Sequence, residues 1–262
     1  MVGNESDRSS KTIPAVVIPA RLQSTRLPRK MLLAETGLPL VVHTYRRALA
    51  ARLPQVVVVA CDSPEVQTAV EAAGGRAIMT DPNLASGTDR VAAVASQFAE
   101  FDPIVNLQGD EPEIDPRAID LLIELLARTP EAEMATLATP IRDRAVLEDP
   151  SCVKVVCDAA GNALYFSRSV IPHPREWSDD MLTAEPPLFR LHVGIYAYRR
   201  DFLLRFREYA PSPLEETERL EQLRALWYGH RIVVGEIPHH SPGIDTLEDY
   251  RRFVERHQKG IT

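Results

Sequence analysis

Over its first 140 residues the chain alternates short apolar runs with segments of helical spacing, and this alternation restricts the fold more than any other feature. Ala15-Val16-Val17-Ile18, Val56 to Ala60, Arg76 to Met79, Ile104 to Leu107 and Met134 to Ala138 read as strands. Val41 to Leu53, Pro64 to Ala73, Thr88 to Phe98 and Pro116 to Ala127 read as the helices between them. Ser63 and Asp115 stand where N-caps are needed, a proline opens the helix after Asp115, and Gly74-Gly75 lies just past the end of the helix after Ser63. Strands that alternate with helices pair in parallel, and the helices cover both faces of the sheet. The expected fold class is therefore α/β, and 262 residues suit one such domain with at most a small appendage.

Beyond residue 150 the pattern changes. Val153 to Val156 and Ala163 to Phe166 flank Asp158 to Asn162, which holds Gly161, and predict a hairpin. Ile171 to Leu188 is rich in proline and acid and reads as a mobile loop. Leu191 to Tyr198 and Ile232 to Glu236 read as strands. Leu214 to Trp227 reads as one strong helix opened by a capping box at Ser212 and Glu215, and Leu247 to His257 as a closing helix after Thr246. The hairpin and helices of this half predict a small subdomain or dimerisation arm.

Four segments carry candidate chemistry. Pro19 to Lys30 follows the first strand and places Arg21, Arg26 and Lys30 at its carboxyl end, where open α/β sheets bind ligands. Cations gathered there suit a triphosphate. There is no G-x-G-x-x-G fingerprint and no G-x-x-x-x-G-K-[ST] loop, which argues against a nicotinamide dehydrogenase and a P-loop NTPase. Ser86-Gly87-Thr88-Asp89-Arg90 precedes a helix and offers N–H groups to an anion or a base edge, or simply caps the helix. Asn106 to Pro112 ends a strand with Gln108, a glycine and Asp110, a place where Mg²⁺ is commonly held; Asp245 offers a second carboxylate after another strand. Both aspartates equally suit turns or caps. Last, His192 and Tyr196 share one face of a strand, and on a continuous helix Glu218 shares a face with Glu221 and Gln222.

Composition narrows the partners. A net charge of -7 argues against nucleic acid, and no apolar stretch approaches a membrane span. Cys61, Cys152 and Cys157 lack zinc-ligand spacing and read as reduced thiols of a cytoplasmic protein. Met1 to Lys11 is polar and reads as a disordered tail.

In order along residues 13–254, IPARLQSTRLPRK, EAAGGRAIMT, SGTDR, VNLQGDEP, MATLATPI, VKVVCDAAGNALYFSRSVIP, HVGIYAYRRDFL, SPLEETERLEQLRALWYG and PGIDTLED resemble the 3-deoxy-manno-octulosonate (Kdo) cytidylyltransferases. YFSR and LEQLRALWYG set the chain apart from the sialic acid cytidylyltransferases. The resemblance implies a mixed, mostly parallel nucleotidyltransferase sheet. It divides into a CTP-binding part to about residue 150, a sugar-binding and dimerisation part at about 151–230, and a return to the main sheet at 231–262. It implies transfer of CMP from CTP to Kdo for lipopolysaccharide synthesis, with Mg²⁺ as cofactor and a homodimer in the cytoplasm; the alternative acceptor is 8-amino-Kdo or another 2-keto acid sugar such as sialic acid. By the same resemblance Arg21, Arg26 and Lys30 hold the triphosphate. Ser86, Gly87, Thr88 and Arg90 lie around the base and ribose, with Gln108 between nucleotide and sugar. Asp110 and Asp245 bind the metal, and Arg168, His192, Tyr196, Glu221 and Gln222 line the sugar site. Leu84-Ala85 and Asp89 depart from the family's usual residues beside the SGT box.

Overall fold

A computed structural model describes residues 12–240 and 243–260, so the reading of Met1 to Lys11 lies outside the described residues. In chain order the regular elements are β1 (Ile13–Ala20), α1 (Leu40–Leu49), β2 (Val56–Cys61), α2 (Pro64–Ala72), β3 (Ala77–Met79), α3 (Gly87–Ala95), β4 (Phe101–Asn106), α4 (Pro116–Arg128) and β5 (Met134–Pro140). They continue with α5 (Arg144–Glu148), β6 (Lys154–Cys157), β7 (Ala163–Ser167), β8 (Arg190–Tyr198), α6 (Arg200–Phe206), α7 (Pro213–Glu218), α8 (Gln222–Trp227), β9 (Ile232–Glu236) and α9 (Leu247–Gln258).

Among the described residues the strands form one mixed sheet with the path β3-β2-β1-β4-β8-β5-β9, and β6 hangs the β6–β7 hairpin on β8. Pairing is parallel from β3 through β4 and again between β5 and β9. β8 runs antiparallel to both β4 and β5. The strand that the sequence assigns to the second part of the chain therefore sits in the middle of the main sheet. Period-two alternation divides the core: Val16 and Ile18 face α1, α2 and α4, whereas Ala15 and Val17 face α3, α6 and the hairpin. Helix α9 seats Tyr250, Phe253 and Val254 against Leu27 and Leu40, each side chain contributing roughly 1.5–3 kcal/mol by burial. That packing carries Ile244 and Asp245 to the loop after β1.

Two readings from sequence are corrected. The stretch Leu214 to Trp227 is not one helix: Arg219 adopts the left-handed conformation (φ 56°, ψ 46°) and separates α7 from α8. The cause is tertiary. Glu218 accepts hydrogen bonds from the Ser167 hydroxyl (2.6 Å) and the Arg168 N–H (2.9 Å), and its carbonyl accepts from Arg168 Nε (2.7 Å). Leu220 and Leu223 turn into the core beyond the break. Glu218 thus shares no helix face with Glu221 and Gln222. The segment Ile171 to Leu188 is also not a bare loop. It holds a 3₁₀ turn at Asp179–Leu182 and packs Trp177, Met181 and Leu182 around Ile141, Leu147 and Phe189. Arg142 donates to the carbonyls of Leu182 and Ala184, both at 2.9 Å.

Candidate active site

The carboxyl ends of β1 and β4 open onto a cleft of about 180 Å³ whose walls include Arg21, Lys30, Gly87, Gln108 and Asp110. Gly109 fits tightly at its floor: a Cβ there would stand 3.0 Å from the Pro19 carbonyl and 3.0 Å from Met31 Sδ, and both would have to give way. This close approach turns the chain so that Asp110 faces the loop after β1. Lys30, only 10% exposed, donates to Asp110 Oδ2, to Asp245 Oδ1 at 3.2 Å and to the Ile244 carbonyl at 3.0 Å. Arg26 reaches the same Asp245 oxygen at 2.9 Å from a largely exposed position. Two carboxylates from chain segments 135 residues apart thus converge on one ammonium group.

That convergence tests the expected metal. Among the described residues no three His, Cys, Asp or Glu side chains are grouped as a metal cage. Mg²⁺ does not need one, since it is held by one or two carboxylates and takes its other oxygens from water and phosphate. Asp110 and Asp245 fit it: both are hard oxygen donors, partly exposed, already directed at a shared cation.

The opposite wall is the N-terminus of α3. Ser86 and Asp89 close a capping box, with both backbone N–H contacts at 3.0 Å, so the aspartate at this departure from the family pattern does the work of the box. At Leu84, in the other departure, the backbone carbonyl accepts from Arg21 at 2.9 Å. Gly87 stands beside Pro19 and Gln108. Arg90 lies behind this wall, fully buried, bound to Thr80 Oγ1, the Asp81 carbonyl (3.4 Å) and Asp62 (3.5 Å).

Thr88 links the cleft to the second half of the site. Its hydroxyl donates to Glu221 at 2.5 Å. Burial raises the pKa of Glu221, and Tyr196, raised by its own burial and by the charge of Glu221, stays a hydroxyl donor. His192 Nε2 lies 2.9 Å from Thr136 Oγ1, and burial drives its pKa down to about 3, so the ring is neutral. Gln222 is buried with Nε2 unpartnered. The guanidinium of Arg168 is engaged by the carbonyls of Glu218 and Pro150, where it fastens the turn after β7 to the end of α7.

Sequence reasoning missed Asp62 and Glu111. Asp62, after β2, accepts the Leu22 N–H at 2.9 Å and so shapes the loop that carries Arg26 and Lys30. Its only signal was its place after a strand. Glu111 is 7% exposed with Oε2 unpartnered; burial first, then the Asp110 charge, pushes its pKa from 4.5 up to about 8. The folded protein therefore binds a proton that the unfolded chain releases between those values, and stability from this group falls as pH rises through the window. Glu111→Gln removes that cost. Without divalent cations, urea unfolding at pH 7.5 should show it more stable by on the order of 4 kcal/mol, with the two proteins converging near pH 4.5. Equal stability at pH 7.5 would remove the protonated-carboxyl assignment.

The cytidylyltransferase family model matches residues 15–232. A 3-deoxy-manno-octulosonate cytidylyltransferase of Rhodopirellula baltica is 48% identical over 242 residues, covering 92% of this chain and 97% of its own. An 8-amino-3,8-dideoxy-manno-octulosonate cytidylyltransferase of Shewanella amazonensis is 45% identical over 244 residues, covering 92% and 97%. Among solved structures, that of a CMP:2-keto-3-deoxy-manno-octonic acid synthetase complexed with CTP superposes with a TM-score of 0.88 at 42% identity, covering 96% of this chain and 100% of that one. With its parallel-antiparallel sheet, strand-end carboxylates and near-complete overlap with these proteins, the chain belongs to the cytidylyltransferase family, among the enzymes of 3-deoxy-manno-octulosonate and its 8-amino analogue.

Proposed function

We propose that the chain transfers CMP from CTP to the anomeric 2-hydroxyl of Kdo, releasing pyrophosphate, with Mg²⁺ held by Asp110 and Asp245. The observation that carries this reading is the single cationic focus where Lys30 joins both aspartates at the mouth of the β1–β4 cleft. Arg21, Arg26 and Lys30 bind the triphosphate, and the α3 N-terminus at Ser86, Gly87 and Thr88 receives the nucleoside. The face of His192 and Tyr196, with Glu221, Gln222 and the neighbouring Gln108, receives the sugar acid. The acceptor oxygen attacks the α-phosphorus as the bond to the leaving pyrophosphate breaks, and Lys30 offsets charge on the leaving group. When bound, the metal neutralises phosphate charge and acidifies the acceptor hydroxyl.

The product fits lipopolysaccharide synthesis in the cytoplasm, and among the described residues no helix is long and apolar enough to cross a membrane. A homodimer is part of the same proposal: Leu164 on the hairpin (61% exposed) and Trp227 on α8 (53%) present apolar surface from two elements that pack together. The acceptor is Kdo rather than its 8-amino analogue on the higher identity of the Kdo enzyme, a margin of 48% against 45%. Pyrophosphate release with CTP and Kdo, 8-amino-Kdo or sialic acid, each with Mg²⁺ and with EDTA, decides it. Release is expected with Kdo and Mg²⁺ only. Release confined to the 8-amino sugar would change the substrate, undiminished release in EDTA would remove the metal, and silence with all three sugars would remove the reaction.

A further inference from the structure

Among the described residues two that are not glycine hold a positive φ: Arg219 at the α7–α8 break, and Arg29 (φ 57°, ψ 27°) directly before Lys30. The bonds made by Glu218 account for Arg219. Arg29 has a different setting. It is the third residue of a turn that the Lys30 N–H closes on the Leu27 carbonyl at 3.2 Å. Pro28 precedes it, and a turn with proline second and a left-handed residue third calls for glycine or asparagine there. Arginine meets a steric cost in that conformation that glycine does not.

Such conformations persist only where the surroundings over-determine them, and they gather at functional sites. The side chain of Arg29 is too weak a cause. It pairs with Glu65 at the start of α2, but both partners are more than half exposed, and exposed pairs contribute little. The neighbours on either side are the stronger cause. Leu27 is buried beside Tyr250 and Phe253 of α9. Lys30 is buried on Asp110, Asp245 and the Ile244 carbonyl, and Met31 lies against Gly109 at the floor of the cleft. The Arg29 carbonyl accepts the Leu32 N–H at 2.9 Å and opens the 3₁₀ turn Lys30–Leu32 that carries both. The chain thus leaves one buried seat at Leu27 and enters another at Lys30, and the reversal between them falls on Arg29.

We propose that the left-handed turn at Arg29 positions Lys30: the handedness of this backbone, not the guanidinium, aims the ammonium group between the two aspartates. This rests on the role given to Lys30 above. The test compares Arg29→Gly and Arg29→Val with wild type for kcat, KM for Kdo and thermal midpoint. Glycine is the conservative variant for the backbone, since it keeps the turn without the steric cost. Its kcat should stay within about 2-fold of wild type. Valine is β-branched and fits the left-handed region badly, so the turn should relax and carry Lys30 away. Its kcat should fall by about 10–100-fold, the scale of a small misplacement at a reacting centre. KM for Kdo should stay within about 2-fold, because the sugar wall does not rest on this turn. A valine variant with normal kcat, whatever its thermal midpoint, would overturn the proposal, because the turn would then serve the fold alone. A glycine variant that loses rate as valine does would also overturn it, because the guanidinium would then be the active part. Should valine fail to fold, Arg29→Ala is scored by the same split below its midpoint. Lys30→Met separates this proposal from the reading beneath it. A near-normal rate there would remove the role of Lys30 and this proposal together, whereas a large loss there beside a normal valine variant would remove this proposal alone.

Discussion

Replacing Asp110 with asparagine lowers kcat by about 10²–10⁴-fold while CTP affinity changes by less than about 10-fold, the effect of losing several kcal/mol of transition-state charge stabilisation. The substitution keeps the shape of the turn, which depends on Gly109 lying against Pro19 and Met31 rather than on the carboxylate. What it removes is charge. Lys30 then retains only Asp245 and the Ile244 carbonyl, and on the proposed reading Mg²⁺ would lose one of its two carboxylate donors. Arg21 and Arg26 hold to the Leu84 carbonyl and to Asp245 rather than to Asp110, so on the proposed reading CTP still binds. Calorimetry with CTP and single-turnover rates at saturating CTP separate the two effects. An asparagine variant that turns over at a near-normal rate would refute the metal role of Asp110, whereas equal loss of affinity and rate would make it a residue of ground-state binding.

The parts of this site that are legible in the amino-acid sequence are those written in local pattern. Apolar runs locate β1, β2, β4 and β5, and the polar residues just past β1 and β4 have to lie at their carboxyl ends. Lys30 and Asp110 can be named that way. Asp245 can be named as a candidate, but its meeting with Lys30 depends on α9 seating Tyr250 and Phe253 beside Leu40, which no local pattern records. The place of β8 is hidden for the same reason. Its alternation announces a strand, and only pairing decides that it enters antiparallel between β4 and β5. The break at Arg219 is hidden because nothing in Leu214 to Trp227 opposes a helix; Ser167 and Arg168, about fifty residues earlier, take Glu218 out of it. Arginines are the least legible. Arg26 turns to a carboxylate at the surface, Arg168 to backbone carbonyls and Arg90 to the interior, and the residue type alone distinguishes none of these.

Arg90 gives the second large effect: Arg90→Met destabilises the protein by about 3–5 kcal/mol, the usual result of removing one partner from a buried ion pair. The side chain is 0% exposed and Asp62, its carboxylate, only 10%. Burial lowers the pKa of the guanidinium, and the nearby Asp62 charge opposes that shift. Its other partners are Thr80, whose hydroxyl in turn donates to the Cys61 carbonyl at 2.9 Å, and the Asp81 carbonyl. One residue on α3 thereby fastens the ends of β2 and β3, and through Asp62 and the Leu22 N–H it braces the loop after β1. Methionine fills much of the volume but leaves the half-buried Asp62 with the Leu22 N–H and no cation. Pairing it with Asp62→Asn should recover part of the loss, since the amide oxygen still accepts from Leu22 and no charge is stranded. Urea unfolding and the KM for CTP, measured on the same samples, discriminate between a brace and a base contact. A brace loses stability first and raises KM only as the loop loosens. If Arg90→Met instead unfolds within about 1 kcal/mol of wild type while KM for CTP rises more than about 10-fold, the guanidinium leaves its burial to meet the nucleotide, and the wall behind the cleft is a moving part of the site.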